Sequence, residues 1–158
     1  MTAPSTPAVR PWLAVAACIG VILLFSSDEF SAGSTSRIIG PLLRWLFPDL
    51  SPVALHALHG WVRKTAHVLE YAALGLLALR ALRLSLAASL AHVSLGSLAI
   101  VLAVAATDEL RQSFIASRTG SIVDVGIDLA GGALGVCLLV ALHRIAGVGA
   151  PGSEAPRG

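Results

Sequence analysis

Charge is scarce in this sequence and lysine is nearly missing: charged residues make up 13% of 158 positions, and Lys64 is the single lysine. The net charge of +2 is spread in ones and twos without a basic run, which excludes the electrostatic footprint of a nucleic-acid partner. Cysteine is scarce too. Cys18 and Cys137 sit in apolar runs, without the paired spacing of a zinc site or the density of a disulfide scaffold, and read as small core residues. At 158 residues the chain is the size of one domain, with no room for a soluble domain beside a membrane core. Apolar surface takes the place of charge. Hydrophobic residues reach 56% and mean hydropathy is +0.82, beyond what a soluble domain needs, so the composition points to a membrane protein.

Residues 1–10, rich in Pro, Thr and Ala, read as a flexible tail. The apolar run from Pro11 to Ser26 is short for a span unless Ala8 and Val9 join it. A cleaved signal peptide with Arg10 as its charged end is the rival reading, but the exit Ser26-Ser27-Asp28 lacks an A-x-A site, which favours a retained helix. After Asp28-Glu29 comes RIIGPLLRWLF, in which Ile38, Ile39, Leu42, Leu43 and Leu46 recur at helical spacing. This suits a short amphipathic helix on the membrane surface, with Trp45 at headgroup depth and Pro48 as its stop; the plainer alternative is a loop packed on the bundle.

Ser51-Pro52 has the form of a helix start, a capping hydroxyl followed by Pro at the first helical position. The helical pattern then runs through VALHALHGWVRKTAHVLEYAALGLLALRAL, longer than a bilayer requires, so its first turns stand outside the hydrocarbon. His56, His59, Arg63, His67 and Glu70 follow spacings of three and four, which makes a stripe along one face. Leu86 to Ala106 forms the next span, in which His92 reads as a packing or hydrogen-bonding residue, and it exits into TDELRQSF. Ser121 and Asp124 then make an S-x-x-D helix start. The last span runs from Ile122 to about His143, with Gly131, Gly132 and Gly135 permitting close helix approach. The remaining stretch, 146–158, reads as a flexible tail.

Nearly all ionisable residues of the apolar body fall where alternating spans bring the start of the second, the end of the third and the start of the fourth to one membrane face. Such groups are costly in hydrocarbon and mark functional sites. With both termini inside, Arg10, Arg80, Arg83, Arg144 and Arg157 lie on the inner face, and only Arg37 and Arg44 are outside once Arg63, Lys64, Arg111 and Arg118 are assigned to the site. That count favours cytoplasmic termini and an outward-facing polar site in the bacterial inner membrane.

The strings RKTAHVLEY at 63–71 and DELRQSFIASRTGSIVDVGIDLAGG at 108–132 resemble the VanZ-like family of bacterial membrane proteins. Arg63, Lys64, His67, Glu70 and Tyr71 match its first motif; Asp108, Glu109 and Gln112 its second; Arg118, Ser121 and Asp124 its third. Asp128 departs from the pattern, since many members have Asn there. The resemblance implies a link to the cell envelope and, through the family's namesake, to resistance to glycopeptides of the teicoplanin type; it implies no defined reaction.

The expectation is an all-α integral membrane bundle of four transmembrane helices, with the amphipathic surface helix between the first and second and the VanZ-like domain at 11–145. His67, Glu70, Asp108 and Asp124 are the candidate catalytic groups, with His67 as general base oriented by Glu70. Arg63, Lys64, Tyr71, Glu109, Gln112, Arg118, Ser121 and Asp128 are candidate ligand-binding residues, because Arg forks match phosphate or carboxylate. The expected partners are membrane lipids and an anionic lipid or peptidoglycan-precursor ligand, with no required cofactor. A divalent metal on the carboxylates is opposed by the adjacent cations. Three function classes stay open: binding of an anionic envelope component, a hydrolase or transferase acting on one, and an assembly subunit whose charges form a structural network. A transporter is disfavoured because the polar groups gather at one face.

Overall fold

A computed structural model describes residues 9–27, 32–115 and 120–148. Among them the chain is helical without strands: α1 (Val9–Phe25), α2 (Ala32–Leu46), α3 (Pro52–Ser85), α4 (Leu90–Ser113) and α5 (Ile122–Val148). The expected tails lie outside the described residues, save that Val9 and Arg10 open α1 and the last turn of α5 reaches Val148. Pro11 is harmless there, because first-turn N–H groups have no partner within the helix.

Each helix end has a local cause. Helix α2 starts earlier than Arg37 and contains Pro41, which forfeits one backbone bond. It stops at Leu46 because Pro48 disfavours helical geometry at Phe47. The Ser51 side chain caps α3 by accepting from the Ala54 N–H at 3.2 Å, as Ser51-Pro52 implies. Leu86 is extended (φ −123°, ψ 132°), so α4 begins at Leu90, later than the pattern suggests. There the Ser89 hydroxyl lies 2.6 Å from His92 Nδ1 and accepts the His92 backbone N–H at 3.4 Å, which is the hydrogen-bonding role expected of His92. At its other end α4 continues to Ser113, so the DELRQ motif occupies its last turns instead of an exit loop. Ser121 starts α5: its side-chain oxygen accepts the Val123 N–H and its carbonyl the Val125 N–H, both at 3.2 Å.

The long helix α3 is central and packs against each of the other four. At one end of the bundle the Trp12 indole N–H donates to Ser85 Oγ at 2.9 Å; at the other, the end of α1 meets the end of α4 through Ser26 and Asp108. Helices α1, α3, α4 and α5 therefore alternate in direction. The core combines Tyr71, Leu74 and Ala81 of α3 with Val101 and Ala105 of α4, Val125 of α5, and Val15 and Ile22 of α1. Helix α5 lies almost backbone to backbone on α3. A Cβ at Gly131 would stand 2.6 Å from the Val68 carbonyl oxygen, and one at Gly135 would collide with the Ala72 carbonyl, so the close approach read from the glycines is present.

The expectation of four spans is met only in part. Among the described residues two helices are long and apolar enough to cross a membrane: α4, and α5 over Ile122–Ile145. At 17 residues, α1 is apolar but spans only about 25 Å against a hydrocarbon thickness of about 30 Å. Helix α3 has ample length, 34 residues, but Arg63, Lys64, His67 and Glu70 interrupt its apolar character.

Candidate functional site

At the end of the bundle where α4 stops and α5 starts, three helices enclose a cavity of about 230 Å³. Helix α3 contributes His56, His59, Arg63, Lys64 and His67 along one stripe; α4 contributes Glu109 and Gln112; α5 contributes Asp124 and Asp128, with Ile127 between them and Gly60 of α3 opposite. Spacings of three and four keep the α3 side chains on one face, and the antiparallel order brings the other two motifs to it.

Contacts cross the cavity wall between helices. Lys64 Nζ lies 3.4 Å from Asp124 Oδ1, an ion pair with both partners substantially exposed. His67 Nδ1 lies 3.5 Å from Asp128 Oδ1, whose carboxylate is 1% exposed. Glu109 Oε2 accepts the Ser121 backbone N–H at 2.8 Å, tying the end of α4 to the start of α5. His59 is in the first turns of α3, ahead of its apolar stretch; burial pushes its imidazole below the ordinary range, and Arg63 and His56 push the same way.

Two arrangements differ from the sequence reading. Glu70 was expected to orient His67, but Asp128 is the carboxylate at the imidazole. Glu70, about one turn further along α3 than His67, lines a separate groove with Phe25 of α1, Ile39 of α2 and Val62. Asp108 is fully buried but does not line the cavity. Its Oδ2 accepts from Ser26 Oγ at 2.6 Å and Gln112 Nε2 at 2.8 Å, and its Oδ1 from Arg111 Nη2 at 3.2 Å. Arg111 also donates to the Leu23 carbonyl at 2.7 Å, and Gln112 to Ser26 Oγ at 2.7 Å. This knot fastens the end of α1 to α4, and Gln112 belongs to both knot and cavity.

Tyr71 is fully buried below the cavity, its ring nearly parallel to that of His67 at 13° with centroids 6.5 Å apart. Ser121 acts through its backbone and as the helix start. Arg118 lies outside the described residues. Ser26, the Leu23 carbonyl, His56 and His59 were not among the candidate site residues; the two histidines were legible as part of the α3 stripe, and Ser26 is marked only as part of the Ser-rich exit after Phe25, which resembles the family's. Among the described residues no group of three or more His, Cys, Asp or Glu side chains is arranged to hold a metal ion.

Three buried polar groups mark the cavity wall and the layer beneath it. Arg63 Nη1, Tyr71 Oη and both Asp128 oxygens are shielded from solvent and have no hydrogen-bond partner among the described residues, the 3.5 Å contact of His67 with Asp128 being an ion pair longer than a good hydrogen bond. Leaving such groups unmatched is costly.

Residues 12–143 match the sequence profile of the VanZ/LLP1 family. The chain belongs to the VanZ/LLP1 family. The match takes in α2, α3 and α4 whole and most of α1 and α5, together with the three polar motifs, in this VanZ-like protein. Neither curated proteins nor solved structures give a match to the chain.

Proposed function

We propose that this VanZ-like protein binds an anionic component of the bacterial cell envelope in the polar cavity, at the outer face of the inner membrane, and through it influences susceptibility to glycopeptides of the teicoplanin type. The observation that carries the reading is Arg63. The other cation of the stripe, Lys64, is matched by Asp124 and His67 by Asp128, whereas Arg63, also in the cavity wall, has a buried Nη1 without a hydrogen-bond partner among the described residues. A guanidinium with an unmatched nitrogen in the wall of a polar cavity suits phosphate or carboxylate.

Membrane insertion by four passes, with α2 at the surface and both termini in the cytoplasm, is part of the same proposal. In its support, only 22% of the apolar window of α4 and 33% of that of α5 is buried within the protein. Leu95, Leu102, Leu134, Leu138, Leu142 and Ile145 remain exposed along them, an apolar surface that water would not tolerate.

The test is a native mass spectrum of the protein extracted from bacterial membranes. A bound anionic component should be present in the wild type and absent from Arg63→Gln at unchanged thermal stability. Loss of stability together with ligand would instead make the charges a scaffold for an assembly subunit.

A second reading, a hydrolase or transferase acting on the bound component, is favoured by the His67–Asp128 pair. A buried carboxylate at Nδ1 leaves Nε2 of the imidazole to take a proton from an attacking hydroxyl or water. Under that reading His67→Ala retains the bound component but no longer converts it; conversion that survives the substitution removes His67 from any chemistry.

A further inference from the structure

Arg63 and His67 stand in the wall between two cavities. One is the polar cavity; the other is a groove of about 190 Å³ where the end of α1, the middle of α2 and the same turns of α3 meet. Phe25, Ile39, Val62 and Ala66 make this second lining mainly apolar, with Glu70 as its carboxylate beside Arg63 and His67, and Phe25 and Val62 are 45% and 38% exposed, so the groove opens on the outer surface of the bundle. On the proposed reading that surface faces hydrocarbon.

We infer that the groove receives the hydrocarbon chain of an anionic lipid whose headgroup lies against Arg63 in the polar cavity. The inference rests on the proposed anion site and adds the class of its occupant. A small free anion would have no use for an apolar channel beside its binding cation, whereas an amphiphile needs both at adjoining positions. Arg63 supplies that junction, since one side chain borders both spaces and has an unmatched buried donor. Helix α2, through Ile39, closes the groove on the side away from α3, which gives this amphipathic helix a part in holding the chain.

The experiment measures binding of long-chain phosphatidic acid, a water-soluble short-chain phosphatidic acid and long-chain diacylglycerol to the full chain in detergent. Each is measured for wild type, Arg63→Gln, Ala66→Trp and Ile39→Trp. Ala66 and Ile39 lie on opposite walls, so a folding defect in one variant is checked by the other. The expected result is that long-chain phosphatidic acid binds at least tenfold more tightly than either other probe. Each Trp substitution should weaken long-chain phosphatidic acid at least tenfold with little effect on the short-chain form, and Arg63→Gln should weaken both phosphate probes. Equal affinity for the two phosphate probes, or indifference to both Trp substitutions, overturns the lipid-chain groove while leaving the anion site. Equal binding of diacylglycerol and phosphatidic acid, or no effect of Arg63→Gln, overturns the anion site itself.

Discussion

Arg63 and Asp128 each have a buried polar atom in the cavity wall without a hydrogen bond among the described residues, and they call for different substitutions. Arg63→Lys keeps the charge but replaces a planar fork by a single ammonium. If the fork grips an anion bidentately, this change should cost roughly tenfold or more in affinity, about 1.4 kcal/mol, with folding unaffected; equilibrium binding of a phosphate-bearing lipid checks it. Asp128→Asn removes a carboxylate that is 1% exposed while keeping an oxygen for the His67 Nδ1–H. Because a buried ion pair gains little over a neutral hydrogen-bonded one, stability should change by no more than about 1 kcal/mol. Any conversion of a bound component that depends on His67 should fall, since the amide stabilises an imidazolium less well. Unfolding in mixed micelles and product analysis measure the two effects separately. A large loss of stability would mean that Asp128 is a structural counter-charge.

At the scale of the helices, α5 and the α1–α4 knot decide whether the cavity exists at all. Gly135→Leu would drive a side chain into the Ala72 carbonyl of α3, and overpacking of this kind costs about 1–3 kcal/mol. The cavity should open with it, because Asp124 and Asp128 ride on the same helix; lowered denaturation midpoints together with lost ligand binding are the expected readouts. Asp108→Ala should cost about 3 kcal/mol by leaving buried donors of Ser26, Gln112 and Arg111 without their acceptor. If binding survives in the folded fraction, Asp108 is a positioning residue and not part of the chemistry.

These elements also mark how far the sequence could be read. The Ser51-Pro52 start, the long stripe on α3, the S-x-x-D opening of α5 and the glycine contact were legible because each depends on local chemistry or on spacing along one helix. The meeting of three motifs followed from the alternation of helices. His67's partner was not legible, because choosing between Glu70 and Asp128 needs the rotation of α3 about its own axis relative to α5. Nor was the knot at Asp108: its main partner, Ser26, is 82 positions away, on a helix whose packing nothing in its composition specifies. The early start of α2 is not legible because the Ser- and Gly-rich stretch before Arg37 has weak helical preference.

For the whole molecule the decisive question is which way the cavity faces. The end of the bundle opposite the cavity brings Trp12 to Ser85, with Arg10 in the first turn of α1 and Arg80 and Arg83 on the last turns of α3, and Arg144 lies near the end of α5. The cavity end has Arg37 and Arg44 outside its network, together with exposed aromatic residues: Trp45, Trp61 and Phe114 are 77%, 68% and 83% exposed, as suits side chains at a membrane interface. The cation bias therefore predicts that the arginine-rich end faces the cytoplasm. Leu86→Cys and Phe114→Cys, both at exposed positions flanking α4, would report the two ends in a background with Cys18 and Cys137 replaced by Ala. A membrane-impermeant maleimide added to intact spheroplasts should label the Phe114→Cys protein, and the Leu86→Cys protein only after permeabilisation. The opposite pattern would turn the cavity inward and exclude an outer-leaflet ligand. Labelling of both without permeabilisation would mean that α4 does not cross the membrane, and the fold would have to bury its apolar face in another way.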